Sequence, residues 1–247
     1  MGQPHAGLGD SYFNHRDRYR PTGGLSIAAI VGIGLVCVLD IASTATSWTQ
    51  YNVIVDYFDD RATDADLDAS DNQVFTWAIA HLVGLAVAGT VLLVWWYRTH
   101  YNARWIGGPD TPGRTGGWVI GAWFCPVANL RFPRDMIADA WRVSAPRIKP
   151  RSTFADDTPS AAIINVWWTA FLLSNALSLF ATRFFRLPAK APTTTAEFTD
   201  SVHTVAVLDT VASVIYLGAG ILAIFIILRL TSWQNTPRTP VEPAAET

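Results

Sequence analysis

The amino-acid sequence predicts an all-α membrane protein: four transmembrane helices, plus a cytoplasmic interfacial or re-entrant segment and an amphipathic helix. Three observations predict it. Of 247 residues, 50% are hydrophobic and 15% charged, whereas a soluble domain carries roughly 25% charged residues. Four segments, at about 25–48, 74–97, 163–185 and 202–230, stay apolar over the roughly 20 helical residues that a hydrocarbon core requires. Finally, Lys and Arg alternate in abundance from one connection to the next. Fourteen fall before the first span, between spans two and three, or at and beyond the end of span four, against four in the other two connections and the span end beside them. Positive residues in short loops stay inside, so both termini are expected in the cytoplasm of a multi-pass cell-membrane protein.

Residues 1–24 read as a cytoplasmic tail, with Arg16, Arg18 and Arg20 just before the first span. That span ends in "IASTATSW", a small-residue run that resembles a signal-peptide cleavage site. Its apolar stretch is longer than the ~15 residues of a signal peptide, which argues for a retained helix. The outer connection "DYFDDRATDADLDASDN" invites a calcium reading but lacks the Gly and the terminal Glu of a calcium-binding helix-loop-helix. It is expected to be a solvated acidic loop.

Span two repeats Ala80, Gly84 and Ala88 at every fourth residue, and span three repeats Ala170, Ser174 and Ser178. Such rows let membrane helices approach closely, which predicts a compact bundle. Trp48, Trp77, Trp95, Trp96, Trp167 and Trp168 fall near span ends, where indole rings favour the headgroup region. The four-span domain covers 25–230, and 231–247 is expected to be a disordered cytoplasmic tail.

The second cytoplasmic section is the most patterned part of the chain. After a Gly/Pro-rich turn comes "GWVIGAWFCPVANL", residues 117–130, too short to cross a bilayer and interrupted by Pro126. Non-helical backbone at membrane depth survives only where protein or water satisfies it. The run is therefore expected either among the spans or flat at the interface. "PRDMIADAWRVSAPR" follows with Pro133 and Asp135 as helix-start signals, and Met136, Ile137, Ala140, Trp141 and Ser144 on one face. An interfacial helix fits that pattern, with Trp118, Trp123 and Trp141 as anchors and Arg131, Arg134 and Arg142 facing anionic lipid headgroups. Packing against the cytosolic ends of the bundle fits equally well.

Arg98, Asn102 and Arg104, then Gly117, Trp118, Gly121, Trp123, Phe124, Pro126, Asn129, Leu130, Pro133, Trp141 and Ser144, resemble the signature of an uncharacterised family of bacterial four-helix integral membrane domains. The family is catalogued as a domain of unknown function. The resemblance covers about Leu25 to Leu230 and implies a fold and a membrane location, with no assigned reaction. Ala122 and Arg131 stand where the pattern carries aromatic residues.

Candidate chemistry lies inside the spans, where an ionised side chain costs roughly 2.5–3.5 kcal/mol on insertion scales. Asp40, His81 and Asp209 stand on three different spans, each about 10–12 Å below the outer surface at 1.5 Å rise per residue. Two readings compete: hydrogen-bonded glue between helices, or a proton or cation pathway. No cofactor or metal is expected. The motifs of phosphate loops, nucleophile elbows, zinc proteases and redox cysteines are missing. His203 lies about 9 Å nearer the surface than His81 and does not complete a haem pair. Nucleic acid is not expected as a partner, since the arginines cluster beside the membrane. The favoured function is a non-enzymatic scaffold or partner-binding protein, with a membrane-protein partner or a homo-oligomer. The alternatives are a small transporter or channel-like protein using the Asp/His cluster, and a membrane enzyme.

Overall fold

The structure, a computed structural model, describes residues 19–107, 116–146, 162–186 and 194–236. The expected N-terminal tail up to residue 18, the turn at 108–115 and the C-terminal tail from residue 237 lie outside the described residues. The elements are α1 (Gly23–Phe58), α2 (Asp64–Gly107), α3 (Gly116–Phe124), α4 (Pro126–Asn129), α5 (Phe132–Ser144), α6 (Ala162–Ala181), which runs on into a π-helical turn (Thr182–Arg186), and α7 (Thr195–Asn235). No strand occurs among the described residues.

Four helices, α1, α2, α6 with its π turn, and α7, are long and apolar enough to cross a membrane. Three of them are much longer than a crossing needs. At 1.5 Å per residue, the 36, 44 and 41 residues of α1, α2 and α7 extend about 54, 66 and 62 Å, against a core of about 30 Å. The acidic stretch expected as a loop is therefore helical from Asp64 onward. Acidic residues in a first turn favour the helix N-terminus electrostatically, although they carry no hydropathy signal.

The turn between α1 and α2 is built by side chains. Asp60 adopts φ 58°, a left-handed conformation that Asp accepts more readily than most residues. The Thr63 N–H and hydroxyl both donate to Asp66 Oδ2, at 2.8 and 2.7 Å, capping α2. At the start of α7, the Thr194 hydroxyl accepts from the Glu197 N–H at 3.2 Å.

The long helices neighbour one another in the order α2, α1, α7, α6, and α2 also reaches α7. α1 packs against α2 and α7, and α6 packs against α7, while among the described residues its Cα atoms stay more than 8 Å from those of α1 and α2. Small residues set the α1–α2 spacing. A Cβ added at Gly32 would stand 3.0 Å from Ala88 Cβ and 3.3 Å from its Cα, so the two backbones come closer than a side chain there fits without a shift. On the other side of α1, a Cβ at Gly220 of α7 would meet Cys37 Sγ at 2.8 Å. Of the predicted small-residue rows, Ala88 and Ser174 are buried, while Ser178 is exposed.

The main core sits at the end of the bundle where α1 begins and α7 finishes. There α5 lies across α2, α6 and α7, and Met136, Ile137 and Trp141 bury against Trp95, Trp96, Trp167, Trp168, Ile227 and Leu230. α7 stays helical to Asn235, five residues past the predicted span end at Leu230, and Thr231 and Gln234 are buried.

Candidate functional site

Two groups of polar residues stand out inside this frame, one within the spans and one at the α5 end. Within the spans, side-chain hydrogen bonds join α1 to α7. The Ser213 hydroxyl donates to Asp40 Oδ2 at 2.5 Å, the Ser47 hydroxyl to Asp209 Oδ2 at 3.1 Å, and the Trp48 indole N–H to Thr210 Oγ1 at 2.9 Å. A membrane-buried carboxylate is tolerable only when something replaces its water, and here serines on the facing helix do so.

The three ionisable residues separate into two levels. Seven residues divide Asp40 from Ser47 on α1 and four divide Asp209 from Ser213 on α7, which places Asp209 about 6–10 Å nearer the acidic end than Asp40. The α1–α2 register follows from Gly32 opposite Ala88 and from Gln50 Nε2 donating to Asp71 Oδ1 at 2.7 Å. That register sets His81 level with Asp40. The His81 ring stands edge-on to Tyr216 with centroids 6.4 Å apart, and its Nε2 is buried with no hydrogen-bond partner. Among the described residues, no three His, Cys, Asp or Glu side chains converge as metal ligands.

At the other end, Pro126 stops α3 and opens α4 after Cys125, whose φ −90° and ψ 113° are extended. Trp118 packs on Phe132 at 5.2 Å and Trp123 on Trp168 at 5.9 Å between centroids. The Trp168 indole N–H donates to the Leu130 carbonyl at 2.9 Å, while Asn129 is half-buried and Pro133 buried. Trp141, expected as an interfacial anchor, is only 4% exposed and packs on Trp233 at 4.5 Å. α5 thus turns its apolar face to the bundle, and the apolar surface left open belongs to α3 and α4. There Phe124 is 74% and Val127 81% exposed, with Trp118, Ile120 and Leu130 beside them.

Of the three basic residues expected to face lipid, Arg134 is the most committed. It donates through Nε and an Nη to Asn165 Oδ1 of α6, at 2.8 and 2.5 Å, and through the other Nη to Asp135 at 2.7 Å. Arg131 and Arg142 are exposed and, among the described residues, pair locally with Asp135 and Asp139, both at 3.1 Å. Burial pushes the Asp135 carboxyl up, but its bonds to Arg134 and Arg131 outweigh this and hold it below the ordinary aspartate value.

A polar knot that sequence reading missed ties this end together. The Asn102 side chain pairs with the backbone of Arg20, accepting from its N–H at 2.9 Å and donating to its carbonyl at 2.8 Å. Gln234 Nε2 donates to the Thr99 carbonyl at 3.0 Å and to Ser144 Oγ at 2.9 Å. Trp95 donates to Thr231 at 3.2 Å, and Tyr19 donates to Asn235. Asn102 and Ser144 both belong to the family signature, and that was the available signal. Gln234 lies past the apolar span and carried none.

Among the described residues, α6 has a long-helix neighbour on one side only. On its open face Asn175, Ser178 and Thr182 recur at helical spacing, all exposed, and Asn175 Nδ2 donates back to the Phe171 carbonyl at 2.7 Å.

Four spanning helices, closed at one end by three short ones, define a multi-pass membrane protein. The model of the family described as Domain of unknown function (DUF4328) matches residues 59–232, and the chain belongs to that family. No curated protein and no solved structure matches the chain.

Proposed function

We propose that this protein is a non-enzymatic membrane scaffold that holds a partner, a second copy of itself or another membrane protein, against the open face of α6. Asn175 carries the reading. It is exposed on α6 and lies twelve residues after Ile163, about 18 Å into a span of about 34 Å. An amide facing hydrocarbon at that depth lacks acceptors and donors, whereas interhelical amide bonds in membranes contribute about 0.6–2 kcal/mol. Ser178 and Thr182 extend the same stripe.

The intramembrane carboxylates fit this reading as glue, since Asp40 and Asp209 meet serines on the facing helix. In the same proposal the protein lies in the cell membrane with both termini in the cytoplasm. α3 and α4 enter the cytoplasmic interface through Phe124 and Val127, and Arg131 and Arg142 meet anionic headgroups. A second reading, a small transporter, draws on His81, whose buried Nε2 stands level with Asp40; it predicts pH-driven flux in liposomes.

Purification from native membranes in a mild detergent tests the scaffold. The wild type should elute with one stoichiometric partner or as a dimer, and Asn175→Leu should elute as a folded monomer with unchanged helical circular dichroism. Elution of the wild type as a lone monomer from native membranes would overturn the proposal.

A further inference from the structure

At the acidic end of the bundle, α1, α2 and α7 part around a cavity of about 490 Å³, within the ~300–1,000 Å³ range of small-molecule sites. Its lining mixes two kinds of group. Tyr57 and Phe58 come from α1, Phe198 from α7 and Phe185 from the π turn after α6, so aromatic rings enter from three elements. The polar lining is Asp71, with Gln50 donating to its Oδ1 at 2.7 Å. The rest is aliphatic, and among the described residues no Lys, Arg or His lines the space.

The surroundings strengthen that bias in sign. Asp56, Asp59, Asp60, Asp64, Asp66 and Asp68 neighbour the mouth in sequence, and Arg61 is paired with Asp56 at 2.7 Å and Asp59 at 3.0 Å. Aromatic faces attract cations, a carboxylate attracts them more strongly, and a mouth lined by one sign of charge concentrates them further. Depth fixes the other half of the chemistry. Val202 starts an apolar span and Val74 another, while Tyr57 and Asp71 lie beyond them, so the cavity straddles the boundary between apolar and polar surroundings. A small hydrated metal ion would leave the aromatic walls unused, and a neutral hydrocarbon would leave Asp71 unused.

We propose that this cavity binds an amphiphilic organic cation, such as a quaternary ammonium or phosphonium compound with an apolar body, one per protein chain. Its charge would sit between Asp71 and the aromatic rings, and its apolar body against the aliphatic wall. The proposal stands apart from the partner face on α6.

Tetraphenylphosphonium and tetraphenylborate, nearly equal in size and opposite in charge, separate charge recognition from simple partition into lipid. Binding of labelled tetraphenylphosphonium is measured on the full chain in neutral-lipid nanodiscs, with protein-free discs subtracted. Saturable one-to-one binding is expected, with no competition by tetraphenylborate. Asp71→Asn, which keeps the side-chain size, should weaken it about tenfold, a loss of about 1.4 kcal/mol. Phe185→Leu should weaken it about threefold, and Val127→Ser at the opposite end should leave it unchanged. Each variant is checked by helical circular dichroism and monodisperse elution, and Asp71→Glu supplies a charge-retaining control that should keep binding if Asp71→Asn misfolds. Absence of saturable binding, equal competition by tetraphenylborate, or full binding by both Asp71→Asn and Phe185→Leu would overturn the proposal.

Discussion

Replacing Gln234 by leucine removes the centre of the polar knot while keeping the side chain's approximate volume. Gln234 is 4% exposed. Its amide donates to the Thr99 carbonyl at 3.0 Å and to Ser144 Oγ at 2.9 Å, and its Oε1 accepts from Asn102 at 3.4 Å. Each of the two short bonds contributes about 0.5–1.5 kcal/mol net, and the long one little. Gln234→Leu should therefore cost about 2 kcal/mol, a little more where the buried Asn102 amide loses its second acceptor. Unfolding in mixed micelles by titration with sodium dodecyl sulfate, followed by far-ultraviolet circular dichroism, reads this directly. A double-mutant cycle with Ser144→Ala should return a coupling of about 0.5 kcal/mol or more, because the two residues share a bond. A loss below about 0.5 kcal/mol, or strict additivity with Ser144→Ala, would refute the reasoning.

Three further predictions follow from the packing and the charges. Gly32→Ala places a Cβ 3.0 Å from Ala88 Cβ and 3.3 Å from its backbone, and should cost about 1–2 kcal/mol net of helix propensity; Gly84→Ala crowds the movable Leu39 Cδ1, at 2.6 Å, and meets Val36 Cγ2 at an ordinary 3.8 Å, and should be nearly neutral, so the reverse order in the same unfolding titration would contradict the α1–α2 interface. Asp135 is held below its ordinary value by Arg134 and Arg131, so its contribution is complete above the unfolded pKa and disappears as pH falls through the lowered folded one; melting temperatures of wild type and Asp135→Asn should differ at pH 7 and converge in acid, and a gap that persists in acid would speak against the ion pair. In cells whose protein lacks Cys37 and Cys125, an impermeant thiol reagent should label Asp66→Cys and spare Arg142→Cys; the opposite pattern would invert the topology.

Much of the fold was legible because hydropathy reports where lipid begins and ends, and the four spans follow from it. Helix ends were not, since α2 continues through Asp64–Asp71 on one side and through Asn102 on the other by capping and packing. The span on which each ionisable residue falls was legible from the sequence. Their mutual register was not, because it is set by where Gly32 meets Ala88 and Gly220 meets Cys37, and a single chain's pattern does not state which glycine faces which helix. Periodicity found the apolar face of α5 but could not tell a protein neighbour from lipid, both being apolar; hence Trp141 is inside while Phe124 and Val127 are outside. The order α2, α1, α7, α6 left no trace in hydropathy, and it is this order that exposes Asn175.

The most direct test of the partner face is photocrosslinking in native membranes, with a photoreactive amino acid placed at position 175 and, as a control, at position 82, where Leu82 is an exposed apolar residue of α2. The account predicts a discrete protein adduct from position 175, at the mass of a dimer or of one partner, and only lipid adducts from position 82. Lipid adducts alone from both positions would contradict it.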